Sequence, residues 1–206
     1  MSYAQGGEGL IIKITPQHIL HPSIPTFTAG AEYKPFTHWS ISLDLGVQTP
    51  SWLFNWNDGL TNINLWRVRS EIRWYPFSYS RLYVSAQYLQ SSKSYNRQND
   101  YLITDTGLQI GYASSDVKLV NHAYCILVGK NFNFSKRFFL DFYAGLGQRF
   151  SNTAHTNLVD PVVITSVFEE EWVWWDDDRD EGNEKFVYLA LGIKVGFLIS
   201  GSKGKE

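Results

Sequence analysis

The chain has one cysteine, Cys125, and one methionine among its 206 residues. A single cysteine excludes an internal disulfide framework and any metal site built from several thiolates. Charge is scarce as well: 18% of residues are Asp, Glu, Lys or Arg, against roughly a quarter in an average soluble domain. The formal net charge of −2 carries no basic excess, so no nucleic-acid partner is expected. No run of about 18 apolar residues exists, and with it goes any transmembrane helix. A convincing 3.6-residue hydrophobic period is missing throughout. P-loop, dinucleotide fingerprint, nucleophile elbow and zincin helix motifs are missing too. The expectation is therefore no catalytic residue, no cofactor and no metal site.

What the chain has is apolar and aromatic: 44% hydrophobic residues and 16% aromatic ones, which excludes a disordered chain. The length fits one domain or at most two. Residues 1–9 read as an N-terminal tail, 10–200 as the structured domain and 201–206 as a polar C-terminal tail. Met1–Gly6 has neither a basic n-region nor an apolar h-region, so it is not a complete signal peptide. Its small residues followed by Gln5 fit the remnant of a cleavage site as well as a flexible tail.

The dominant period is two. From Trp39 to Gln48 the odd positions (Trp39, Ile41, Leu43, Leu45, Val47) are large and apolar and the even ones small or polar. In a strand this makes one apolar and one polar face. Residues 66–74 set Trp66, Val68, Ile72 and Trp74 against Arg67, Arg69, Glu71 and Arg73. Residues 138–149 and 187–197 alternate in the same way, and weaker versions occupy about 10–20, 24–33, 81–90 and 118–130. At 118–130 the register stays open, because Tyr124, Ile126 and Val128 compete with Cys125 and Leu127. That predicts eight strands, most of about ten residues, where soluble proteins favour about five or six. A tilted strand that crosses a bilayer needs about 9–11.

Connections alternate in length. Short ones fall at 34–37, 76–80 and 131–136; long ones at about 49–61, 91–117 and 151–184; only the first, near His21, Pro22 and Ser23, breaks the rule by being short. Each short turn has aromatics on both flanks, such as Tyr33 and Phe36 before Trp39, and Trp74, Tyr75 and Phe77 before Tyr79. Amphipathic rings at both ends of short turns fit a girdle at headgroup depth. The polar face mixes long charged residues with Gly30, Ser40, Ser42, Gly46, Gly145, Gly147, Gly192 and Gly196. Glycine weakens a strand and gains nothing on a solvated face. A narrow eight-stranded interior needs such small residues beside long ones. The polar face, which also holds Lys13, Arg149 and Lys194, is thus expected inside, and the apolar face outside. The predicted fold is all-β: an eight-stranded antiparallel up-and-down transmembrane β-barrel with short periplasmic turns and long extracellular loops.

Buried charges need partners. Arg67, Arg69, Glu71, Arg73, Asp44, Glu32 and Asp141 are the expected lumen ion-pair network. It fits a plug, or alternatively an anion path lined by arginine. Residues 169–184 hold nine carboxylates and one arginine, a local charge of −8; against −2 overall, this leaves about +6 elsewhere. Trp172, Trp174, Trp175, Asp176, Asp177 and Asp178 make this the candidate partner-binding loop, because Trp is enriched at binding hot spots. A solvated charge run is the plainer reading. Asp176, Asp178 and Asp180 suggest calcium, but the EF-hand spacing is absent.

His38 and Ser40 share a strand face. The pair resembles the His-x-Ser arrangement of outer-membrane lipid A deacylases. Here it is two residues long, and it sits at the short-turn end on the inner side.

With its four clear alternating segments and aromatic turns, the chain resembles small outer-membrane barrels of the OmpA/OmpX type. The stretch Trp66 to Pro76, with Arg69, Glu71, Arg73, Trp74 and Tyr75, resembles a family of uncharacterised Gram-negative outer-membrane proteins. One departure is that Phe197 is followed by nine residues instead of ending the chain. The resemblance implies a structural or interaction role in the cell outer membrane and no activity. The expected function is a non-enzymatic barrel in contact with outer-membrane lipid and lipopolysaccharide. It would display loops as an accessory subunit of an envelope complex, with a protein contact through 151–184 or the barrel wall. The alternatives are a lipid A-modifying hydrolase and a soluble lipocalin-like small-ligand barrel.

Overall fold

A computed structural model describes residues 9–19, 26–49, 60–77, 81–135, 137–164 and 179–201. Among these the fold is all-β: strands β1 (Gly9–Ile14), β2 (Thr26–Phe36), β3 (Trp39–Gln48), β4 (Leu60–Trp74), β5 (Leu82–Ile103), β6 (Gln109–Asn133), β7 (Phe138–Val159), β8 (Val162–Ile164) and β9 (Gly182–Gly201). A 3₁₀ turn at Pro16–His18 follows β1, and no α-helix occurs among the described residues.

All strand ladders are antiparallel. From β1 through β7 each strand pairs with the next; β7 then pairs with β9, and β9 with β1. These eight strands close a ring, so that Ile12 faces Ala31 on one side and Phe197 on the other. The ninth strand, β8, lies outside the ring and pairs with the outer part of β6. Closure matters physically, because an open edge leaves a row of unpaired N–H and C=O groups.

β3 matches its alternating segment residue for residue. Elsewhere the boundaries differ. β1 stops at Ile14 because Pro16 cannot donate to a ladder and starts the 3₁₀ turn. β2 continues through Pro35 to Phe36 at a register shift between Tyr33 and Phe36, so the turn is Thr37–His38 and not 34–37.

The largest correction concerns the long loops. Residues 91–103 and 109–117 extend β5 and β6, which run to 22 and 25 residues and leave only 104–108 as the turn. Likewise 151–159 belongs to β7, 162–164 to β8, and β9 begins at Gly182. The extensions lack period-two hydrophobicity: 91–101 reads Ser, Ser, Lys, Ser, Tyr, Asn, Arg, Gln, Asn, Asp, Tyr. Both faces there are polar or mixed, so only the cross-strand ladder reveals the strand.

The ring is inverted relative to a soluble fold. Ile41, Leu43, Leu45 and Val47 of β3, Tyr124, Ile126 and Val128 of β6, and Leu189 and Leu191 of β9 point outward, with Leu45 54% and Leu189 62% exposed. Lys13, Glu32, Asp44, Arg67, Arg69, Glu71, Arg73, Asp141 and Lys194 point inward and are buried. The open register on β6 resolves the same way: Leu119, Ala123, Cys125 and Leu127 face in. Ala123, Cys125 and Leu127 pack with Tyr75, Tyr83, Leu89, Tyr143 and Ala190. Both faces of that strand are apolar, which explains why periodicity left it undecided.

Candidate functional site: the ionic interior of the ring

The inward charges come from six strands and meet at one level. β4 supplies Arg69, Glu71 and Arg73 at alternate positions, as its pleat requires. Cross-strand register places Asp44 opposite Arg69, Ser42 opposite Glu71 and Ser40 opposite Arg73. On the far wall Asp141 of β7 lies opposite Lys194 of β9. Lys13 enters from β1 and Glu32 from β2.

Four cations and four carboxylates result. Arg73 Nη1 lies 2.7 Å from Asp141 Oδ2 and 3.2 Å from Glu32 Oε2, and Arg73 Nη2 donates to Glu71 Oε2 at 2.8 Å. Lys194 Nζ donates to Asp44 Oδ2 and Glu71 Oε2, each at 3.0 Å. Arg69 Nε donates to Asp44 Oδ2 at 2.9 Å. Lys13 pairs with Glu32 and lies 3.2 Å from Asp141 Oδ2. Each carboxylate therefore touches two of these cations, and the cluster is formally neutral. Desolvating single ions in this space would cost several kcal/mol each, on the order of magnitude known for buried charges.

Neutral donors complete the shell. Ser40 Oγ donates to Glu32 Oε1 at 2.6 Å, and Tyr75 donates to the same oxygen at 3.0 Å. Tyr83 donates to Asp141 Oδ1 at 2.7 Å, and Ser85 donates to Glu71 Oε1 at 2.8 Å. Arg69 Nη1 donates to the Tyr143 hydroxyl at 2.9 Å, and Arg69 Nη2 to Thr15 Oγ1 at 3.1 Å. The Arg73 guanidinium also stacks 4.2 Å from the Tyr83 ring centroid.

Glycines make the room. A Cβ on Gly129 would strike the Tyr83 ring, one on Gly192 the Tyr143 hydroxyl, and one on Gly196 the Phe139 ring. At Gly30 it would strike the Asp44 carboxylate. Small residues beside long ones are thus a packing requirement of this interior.

Of the residues expected in the network, Arg69, Glu71, Arg73, Asp44, Glu32 and Asp141 come together. Arg67 points into the same interior one step beyond Arg69, and the ion pairs above run through Arg69 and Arg73. Lys13 and Lys194 complete the charge balance. Their place on the polar face was legible, but their distance in sequence from Asp44, Glu71 and Asp141 hid the pairing. Tyr75, expected in the outer aromatic girdle, instead turns inward to Glu32, and Tyr83 and Tyr143 join it as hydrogen-bond partners that alternation alone does not single out.

The Ser40 hydroxyl is fully buried and engaged by Glu32, while His38 sits exposed in the β2–β3 turn. This geometry does not assemble a His–Ser nucleophile. Trp172, Trp174, Trp175, Asp176, Asp177 and Asp178 lie outside the described residues. Among the described residues no group of three or more His, Cys, Asp or Glu is placed to hold a metal ion. The chain matches no protein-family model and no curated protein.

Proposed function

We propose that this chain is an outer-membrane β-barrel of up-and-down topology, with its short turns on the periplasmic side. The observation that carries the proposal is the inverted polarity of the ring: a neutral ionic interior inside an exposed apolar wall. Water would make that wall an aggregation hazard, whereas lipid solvates it.

Two aromatic rows bound the wall. Trp39 pairs with Trp74 near the short turns, and Phe27 and Trp66 flank Val47 eight residues along β4. Eight residues span about 27 Å of strand, or about 20 Å along the normal at a tilt of about 40°, close to the apolar band of outer-membrane barrels. Lipopolysaccharide and phospholipid are then the solvent of the wall. The packed ion cluster acts as a plug, and the role is non-enzymatic. The polar extensions of β5, β6 and β7 stand beyond the upper row as a platform for a partner. The protein would serve as an accessory subunit of an envelope complex.

Cell fractionation combined with crosslinking tests this reading. The expected result is recovery with the outer membrane, heat-modifiable migration in detergent, and a reproducible crosslinked partner. Soluble recovery without detergent would overturn it.

A further inference from the structure

β5 and β9 are three places apart in the ring, separated by β6 and β7. At the usual strand spacing this is about 14 Å along the sheet. Yet past the upper aromatic row the tip of β5 is bonded to the chain that leads into β9. The Ile103 N–H donates to the Arg179 carbonyl at 2.9 Å, and the Glu181 N–H donates to the Ile103 carbonyl at 2.8 Å. These two bonds flank a parallel bridge between Ile103 and Asp180. Side chains reinforce the contact. Arg179 Nε lies 3.3 Å from Asp100 Oδ1, and its guanidinium 4.9 Å from the Tyr101 ring centroid. For these groups to meet, the β5–β6 hairpin and the chain that bends away from β9 at Gly182, φ 117°, approach each other across the mouth of the ring.

The bend has identifiable hinges at one level of the sheet. Asn99 takes φ 52° and drops out of the β5–β6 pairing. Asn157 takes φ 53° where the β6–β7 register shifts between Ser114 and Asp116. Asparagine is among the few residues besides glycine that enter this left-handed region at modest cost. Asp116 ties the Asn157 hinge to β5 just before Asn99, accepting from Asn157 Nδ2 at 2.8 Å and Asn96 Nδ2 at 3.1 Å. Leu102 and Tyr112 of this hairpin are almost completely buried.

We infer that the β5–β6 hairpin, residues 97–112, is a hinged lid over this mouth of the ring, latched by Arg179 and Asp100 to the chain entering β9. β5 and β6 keep one register from Leu82 with Lys130 to Ile103 with Gln109, with only the Asn99 pair missing, so beyond Asn99 the hairpin moves as one piece. β8 pairs with its outer edge at Gln109–Gly111 and, lying beyond Asn157, moves with it; the latch itself is two backbone bonds and one part-exposed ion pair. Opening would expose Leu102 and Tyr112, together with the interior above the ion cluster.

Amide hydrogen exchange on the full chain in detergent micelles tests the lid. In the parent protein the Ile103 and Glu181 amides should be protected. In the double variant Asp100→Asn/Arg179→Gln they should exchange at least ten-fold faster, with the amides of β3 and β4 unchanged. A second variant, Ile103→Cys/Asp180→Cys, should close a disulfide under mild oxidant and slow exchange at both ends of the latch. Three outcomes would overturn the inference. The parent amides at Ile103 and Glu181 could exchange as fast as unstructured ones. The double variant could leave them unchanged. Or acceleration could spread equally over β3 and β4, which would mean general loosening and no lid.

Discussion

Arg73 of β4 reaches across the interior to Asp141 of β7, Nη1 to Oδ2 at 2.7 Å, and so joins walls three strand places apart. Neither group has access to water. The contact cannot be replaced by solvation when one partner is removed, and the remaining charge is stranded.

Removal of one member should therefore cost more than removal of a matched pair. Arg73→Met leaves Glu32, Glu71 and Asp141 with one cation fewer and should destabilise the fold by about 3–5 kcal/mol. The double variant Lys194→Met/Asp44→Leu removes one charge of each sign and should cost less than the sum of its single variants. Urea titration of the folded form in micelles measures both. An additive double variant would contradict the cluster as a coupled unit.

The outer wall offers a test of its solvent. Leu43 and Leu191 lie mid-wall, Leu43 49% and Leu191 62% exposed. Substitution of either by Arg should cost about 2–4 kcal/mol in a bilayer, as at the midplane of a membrane barrel. On a water-facing surface the same change should stay within about 0.5 kcal/mol. Refolding equilibria in lipid vesicles separate the two outcomes.

Interior glycines should behave as packing partners. Gly196→Val would collide with the Phe139 ring and should destabilise by about 1–3 kcal/mol. Adding Phe139→Leu should recover part of the loss. A double-mutant cycle reads the coupling, expected at about 0.5–3 kcal/mol for groups in contact.

The hinge of the β5–β6 hairpin should respond to acid. Hydrogen bonds from Asn157 and Asn96 hold the Asp116 carboxyl below the usual carboxylate range. A depressed folded-state value means the stabilisation is present above the ordinary pKa of about 3.9 and is lost as pH falls through the lower folded value. Amides near Ser114 and Thr156 should therefore stay protected above about pH 4 and exchange faster in stronger acid, since Asp116 keeps its charge down to its depressed folded value. Asp116→Asn should abolish that acid dependence.

Much of the ring was legible before any coordinates. Where one face is apolar and the other charged, alternation is sharp, and β3 follows it residue for residue. It failed in three physically distinct places. On β6 both faces are apolar, so no period separates them. In the extensions of β5 and β7 both faces are polar or mixed, so strand and loop look alike. On β1 a proline cut short a pattern that hydrophobicity alone would have continued.

The composition of the ionic interior was readable from the chain, because the pleat sends every second residue of β4 to one side and six charges of the network declare themselves there and on β2, β3 and β7. Which charge meets which was not readable. Pairing Lys194 with Glu71, or Lys13 with Glu32 and Asp141, depends on the register of eight ladders and on the closure of β1 against β9. Local sequence controls which face a side chain takes. Ring closure, a long-range condition, sets which of those side chains arrive at the same depth, and the lean of the β5–β6 hairpin toward Arg179 follows from that same long-range geometry.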